Sequence, residues 1–120
     1  MDTILIVDDD PDILDALELV LEDAGYQVTT SPKGEDAESL TAQNLPQLLI
    51  LDVLLSGKDG RDICHKLKSQ PSTKKLPIIM ISAHPSAEKS IRKVGADAFL
   101  AKPFNINVLL ANVSKFISPS

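Results

Sequence analysis

The residues able to do chemistry fall at four places along the chain. Asp8-Asp9-Asp10 follows the apolar run 4–7, and Asp52 closes the run 48–51. Ser82-Ala83 follows the run 78–81, and Lys102-Pro103 follows 98–101. Three carboxylates brought to one rim repel and raise one another's pKa. A hard divalent cation relieves this. Mg²⁺ takes oxygen ligands, keeps several waters, and is held by one or two carboxylates plus a phosphate. A carboxylate is also a nucleophile that forms an aspartyl phosphate. Phosphoryl transfer mainly needs positioning and neutralisation of the equatorial oxygens. Mg²⁺ can cover one oxygen, the Lys102 ammonium a second, and the Ser82 hydroxyl with nearby backbone N–H groups the third.

Taken singly, these residues read otherwise. Acids after a strand are often helix caps, which is the reading for Asp10 and Asp12. Asp8 and Asp9 escape it because Asp10 fills the cap. Ser82 alone is a loop serine, Lys102 a surface lysine and Asp52 a turn residue. The chemistry therefore rests on their joint placement, and on the elements that create it.

Ile4-Leu5-Ile6-Val7, Leu48-Leu49-Ile50-Leu51 and Ile78-Ile79-Met80-Ile81 are apolar without alternation. That pattern suits parallel strands covered by helices on both faces. Gln27-Val28-Thr29-Thr30 and Ala98-Phe99-Leu100-Ala101 read as weaker strands at the edges. Ile13, Leu17, Val20, Leu21 and Ala24 form one helical stripe, with Asp10 as cap, Pro11 in the first turn and Gly25 at the end. Ile106, Leu109, Leu110, Val113, Phe116 and Ile117 form another. Residues 33–43, 60–68 and 86–94 complete five helices. The expected architecture is α/β, (βα)₅, an open doubly wound parallel sheet with right-handed crossovers. Ligands in such sheets bind at the carboxyl ends of the strands.

The 120 residues suit one domain, and 43% apolar content excludes disorder. No apolar run approaches a membrane span, and Met1-Asp2-Thr3 lacks the features of a secretory signal. Cys64 is alone, so no internal disulfide forms, and it reads as a small core residue. A cytoplasmic protein is expected. The net charge is −5, with nine acids and no Lys or Arg in residues 1–30. Residues 61–120 hold ten basic residues against three acids. The negative total and 3% aromatic content give direct nucleic-acid binding little support.

Across residues 3–117 the chain resembles the receiver domain of two-component response regulators. The motifs are the run 4–7 with Asp8-Asp9, Leu-Leu-Ile-Leu-Asp52, Ile-Met-Ile-Ser82-Ala83, and Phe99-Leu-Ala-Lys102-Pro103-Phe104. The resemblance implies a flavodoxin-like strand order 2-1-3-4-5 and one receiver domain over 1–120. It implies that Asp52 accepts a phosphoryl group from a histidine kinase or phosphotransfer protein. Asp9, Asp52 and the Leu54 carbonyl would ligate Mg²⁺, with Asp8 acting through metal-bound water. Ser82 and Lys102 would bind the phosphoryl group, Phe99 would be the aromatic switch, and Lys102–Pro103 would be cis. Lys89, Arg92 and Phe99 would lie near the signalling face formed by the fourth helix, fifth strand and fifth helix. A downstream output domain or protein would read that face, with a phosphorylation-dependent dimer as one form. Such a chain is not an enzyme beyond its own phosphorylation and slow dephosphorylation. Two departures stand out. Ser56 replaces a common proline four residues after Asp52, with Gly57 and Gly60 keeping the turn, and Phe99 replaces the commoner tyrosine.

Two rivals remain at this level. One is a docking module that is never phosphorylated. The other is a phosphohydrolase of the haloacid dehalogenase type, with Asp8 as nucleophile and Asp10 as general acid, which leaves Asp52 unexplained.

Overall fold

The computed structural model describes residues 3–118. Met1, Asp2, Pro119 and Ser120, included above in a single domain of 1–120, lie outside the described residues. Five parallel strands, β1 (Thr3–Val7), β2 (Gln27–Ser31), β3 (Leu48–Asp52), β4 (Ile78–Ser82) and β5 (Ala98–Ala101), form one sheet in the order β2-β1-β3-β4-β5. The expected order and edge strands are therefore present. In register, Ile6 lies opposite Thr30 and Ile50, Ile50 opposite Ile79, and Ile79 opposite Ala98.

Four helices return the chain between strands, α1 (Pro11–Asp23), α2 (Gly34–Glu38), α3 (Gly60–Lys68) and α4 (Glu88–Lys93), and α5 (Ile106–Ser114) follows β5. Alternate strand residues point to opposite faces, so the central strands feed two cores. Leu5, Val7, Leu49, Leu51, Ile78 and Met80 pack with Ala37, Ile63, Cys64, Leu67 and Ile91 from α2, α3 and α4. Ile4, Ile6, Leu48, Ile50, Ile79 and Ile81 pack with Leu14, Leu17, Leu21, Leu109 and Val113 from α1 and α5. The unbroken apolar runs of β1, β3 and β4 follow directly from this two-sided burial. Cys64 is buried as expected, and burial pushes its thiol up to about 11. Among the described residues, no helix is long and apolar enough to cross a membrane.

Several local expectations shift. Asp10 caps α1 by accepting the Asp12 N–H, and Pro11 opens the helix, as the sequence suggests. The buried stripe of α1 is Leu14, Leu17 and Leu21; Ile13, Val20 and Ala24 pack only at its margin. The second helix is shorter than 33–43. Thr41 and Asn44 exchange side-chain and backbone hydrogen bonds, giving the chain a turn that competes with further helix. Segment 86–94 divides into a 3₁₀ turn, Pro85–Ala87, and α4. Ile106 is exposed, and the buried stripe of α5 starts one turn later at Leu109.

A polar clamp ties the far end of the sheet. Lys68 Nζ donates to the Leu76 carbonyl at 2.6 Å and to Asp97 Oδ2 at 2.7 Å. The same Asp97 oxygen accepts the Ile78 N–H at 2.8 Å, where β4 begins. Asp97→Ala removes an acceptor shared by two donors. Its expected cost is about 1–3 kcal/mol, read as a lower urea midpoint with an unchanged m-value.

Candidate functional site

The carboxyl ends of β1, β3, β4 and β5 deliver Asp8-Asp9, Asp52, Ser82 and Lys102 to one rim. Oxygens of Asp8, Asp9 and Asp52 all lie within 4.8 Å of one another. Asp8 and Asp52 are buried, and Asp9 is the most open of the three. Lys102 Nζ donates to Asp8 Oδ2 at 2.9 Å and lies 3.3 Å from Asp52 Oδ1. The other Asp8 oxygen accepts the Asp10 N–H at 2.9 Å. Each carboxylate is set by its strand end, and Lys102 reaches them from the loop that follows the edge strand β5.

The electrostatics follow from this crowding. Asp52 is pushed up to about 6 by burial first and by the neighbouring charges of Asp8 and Asp9, with Lys102 opposing them. Burial works against the charge of Lys102. The Asp8 hydrogen bond and the Asp52 carboxylate outweigh it and hold Lys102 above the ordinary lysine range. One ammonium thus faces a buried pair of carboxylates and a third nearby. All-oxygen, carboxylate-rich donors suit a hard divalent cation such as Mg²⁺.

Ser82 is buried at the end of β4, but its hydroxyl is engaged away from Asp52. It accepts the His84 N–H at 3.0 Å, while the Ser82 carbonyl accepts the Lys102 N–H at 2.9 Å. His84 itself is exposed. Phe99 is half-buried and, like Ala87, Val94 and Ala96, packs against the core that includes Met80 of β4 and Ile91 of α4. The Lys102–Pro103 bond is cis. Leu54, two residues beyond Asp52, begins an antiparallel ribbon in which Leu54–Leu55 pairs with Lys58–Asp59; its side chain is exposed. Asp10 is committed to its cap, which leaves the dehalogenase-type reading without its general acid.

Two residues play parts that sequence reasoning did not assign. Gly60 reads as a turn glycine, yet the constraint is close approach: a Cβ there would overlap the Asp52 carbonyl oxygen, and Gly60 N–H donates to Val53 at 2.7 Å. Its place directly after Asp59, at the start of α3 and so soon after Asp52, was the available signal. Ser56 donates from Oγ to Asp9 Oδ2 at 2.8 Å. Nothing in its spacing marks that contact, which spans two loops far apart in sequence.

The fold and site together define a doubly wound domain that gathers carboxylates and one lysine at its strand ends. The model of the response regulator receiver domain matches residues 4–114, and the chain belongs to that family. The phosphate regulon transcriptional regulatory protein PhoB of Rhizobium meliloti (strain 1021) is 36% identical over 116 residues, 95% of this chain and 51% of PhoB. The signal receiver domain of a signal transduction histidine kinase from Syntrophus aciditrophicus is 33% identical, with a TM-score of 0.87 over 97% of this chain and 89% of that one. The response regulator TrrA of Thermotoga maritima, solved in complex with Mg²⁺–BeF, is 29% identical, with a TM-score of 0.87 over 98% of this chain and 100% of that one. The chain spans about half the length of PhoB and 25% of the response regulator PleD of Caulobacter vibrioides. Receiver domains are signalling modules.

Two outcomes are expected. Asp52 binds its proton more tightly folded, at about 6, than unfolded, at 3.8. Stability therefore falls as pH rises through that window, and the penalty is complete above it. In EDTA, Asp52→Asn should exceed wild type by about 1–3 kcal/mol at pH 7.5, with the difference shrinking to about 0.1 kcal/mol at pH 3, below the unfolded value, measured by urea unfolding. Gly60→Ala should lose about 1–3 kcal/mol through overpacking, seen as a lower Tm.

Proposed function

We propose that this domain is the phosphoacceptor switch of a two-component pathway and takes a phosphoryl group onto Asp52 with Mg²⁺ beside it. The observation carrying this reading is the convergence of Asp8, Asp9 and Asp52 within 4.8 Å, next to Lys102. The oxygen donor set fits Mg²⁺, and TrrA, a receiver-family relative, was solved with Mg²⁺–BeF. Asp9, Asp52 and the Leu54 carbonyl are assigned as ligands, with Asp8 acting through bound water. When bound, the ion supplies positive charge that neutralises the carboxylates and the transferring oxygens.

The donor is the phosphohistidine of a sensor histidine kinase or phosphotransfer protein. An Asp52 carboxylate oxygen forms the bond to phosphorus. The P–N bond breaks and its electron pair stays with the imidazole nitrogen. The unprotonated Asp52 required for attack is favoured by Lys102 and by a cation. Lys102, already within reach of Asp52, pairs with the phosphoryl group. Ser82 leaves the His84 N–H and donates its hydroxyl to a phosphoryl oxygen.

The group adds roughly −1.5 to −2 charges at neutral pH. The loop from Ser82 through Pro85–Ala87 to α4 is the two-state element, and the phosphoryl group shifts its population. Phe99 follows Ser82 and changes the face formed by α4, β5 and α5, near Lys89 and Arg92. An output domain or separate protein reads that face, and a phosphorylation-dependent dimer is one form of the readout. Residues 1–120 act as one cytoplasmic receiver unit, without nucleic acid or membrane contact of its own. The chain turns over no external substrate beyond its own phosphorylation and slow dephosphorylation.

Incubation with acetyl phosphate and Mg²⁺ should give one phosphoryl adduct by intact mass. Asp52→Asn, and wild type in EDTA, should give none. An adduct on Asp52→Asn at an unchanged rate would overturn the assignment.

A further inference from the structure

The turn of the ribbon after β3 reaches the acidic site through one side chain, Ser56, which bonds Asp9. Leu55 pairs with Lys58, leaving Ser56 and Gly57 as the two turn residues. Gly57 has φ +73°, and no residue other than glycine has positive φ among those described. This is the pattern of a type II turn, with the glycine at the second central position. The first central position accepts most residues and favours proline. The backbone therefore does not require serine at 56. What serine adds is the hydroxyl, and that hydroxyl donates to Asp9 Oδ2 at 2.8 Å across 47 residues of sequence.

Asp8 and Asp52 have other restraints. Both face Lys102, both are buried, and Asp8 also accepts the Asp10 N–H. Asp9 is more open and pairs with no lysine among the described residues, so its carboxylate depends on Ser56 for orientation. A hydroxyl held on one carboxylate oxygen leaves the second oxygen for an ion. It also reduces the side-chain freedom lost when the ion binds. Outer partners of this kind orient metal ligands, and their loss typically costs 10–100-fold in metal affinity.

We propose that Ser56 is a positioning residue for the cation site: through its hydroxyl it fixes Asp9 and raises the affinity of the acidic cluster for Mg²⁺. The inference rests on the reading of the site given above. It also links the ribbon to the ion, so that filling the site rigidifies the loop from Leu54 to Asp59.

The test is a Mg²⁺ titration of the ¹⁵N-labelled chain, following backbone amide shifts at residues 8–10 and 52–60. The variants are Ser56→Ala, Ser56→Pro and Ser56→Thr. Ser56→Pro suits the turn and lacks the hydroxyl, whereas Ser56→Thr keeps it. Ser56 is exposed, so Tm values close to wild type are expected for all three. The alanine and proline variants should bind Mg²⁺ about tenfold more weakly, and the threonine variant should stay near wild type. Wild-type affinity in both the alanine and proline variants would overturn the role of Ser56 while leaving the site reading intact. A wild-type chain that shows no Mg²⁺-dependent shifts would overturn the site reading and this inference with it.

Discussion

Mutual repulsion among Asp8, Asp9 and Asp52 is the constraint on which the rest of the structure depends. Two of these carboxylates are buried, and one ammonium, from Lys102, faces them. Holding them together costs free energy that other parts of the domain must supply. They do so through the two apolar cores, because β1 leads into Asp8-Asp9, β3 ends in Asp52, and both strands are buried from Ile4 to Val7 and from Leu48 to Asp52. The acids are thus anchored to buried central strands, while the lysine comes from a loop after an edge strand.

The hydrogen bonds around the site fit the reading proposed for it. Lys102 is shared between Asp8 and Asp52 and occupies part of the positive role proposed for the cation. The Ser82 hydroxyl is satisfied by the His84 backbone rather than directed to Asp52. Beyond it lie a 3₁₀ turn and a six-residue helix with Ile91 as its buried residue. Few apolar contacts hold such a segment, and small local stability is what a switching element needs. α4 is further tied to α3 by the Arg61 guanidinium, which donates to Ser90 Oγ at 3.0 Å and also grips Asp59, the cap of α3. The segment after β4 and the segment after β3 therefore meet away from Asp52, through Arg61 and Ser90.

Much of this architecture was legible in the sequence because burial leaves a mark on composition. Two-sided burial makes β1, β3 and β4 continuous apolar runs, and their ends pointed to Asp8, Asp9, Asp52 and Ser82. The weaker runs at 27–30 and 98–101 read correctly as edges, where one neighbour is missing. Helix detail was less legible. An apolar residue near a helix end can face either way, so Leu14 was missed and Ile106 was placed inside. The early end of α2 depends on Thr41–Asn44 bonding, which competes locally with helix. Within the site, residue type suggested the chemistry of Lys102, but its shared pairing with Asp8 and Asp52 is tertiary. The same holds for Gly60 against the Asp52 carbonyl and Ser56 on Asp9, since both contacts arise from how loops meet.

The central claim is that this crowded rim makes Asp52, and no other carboxylate, the phosphoryl acceptor. The most direct measurement is site mapping. The chain is treated with acetyl phosphate and Mg²⁺, reduced with borohydride to convert an aspartyl phosphate to homoserine, digested, and sequenced by mass spectrometry. The account predicts homoserine at position 52 alone, and only when Mg²⁺ is present. Homoserine at Asp8 or Asp9 with Asp52 intact would contradict it.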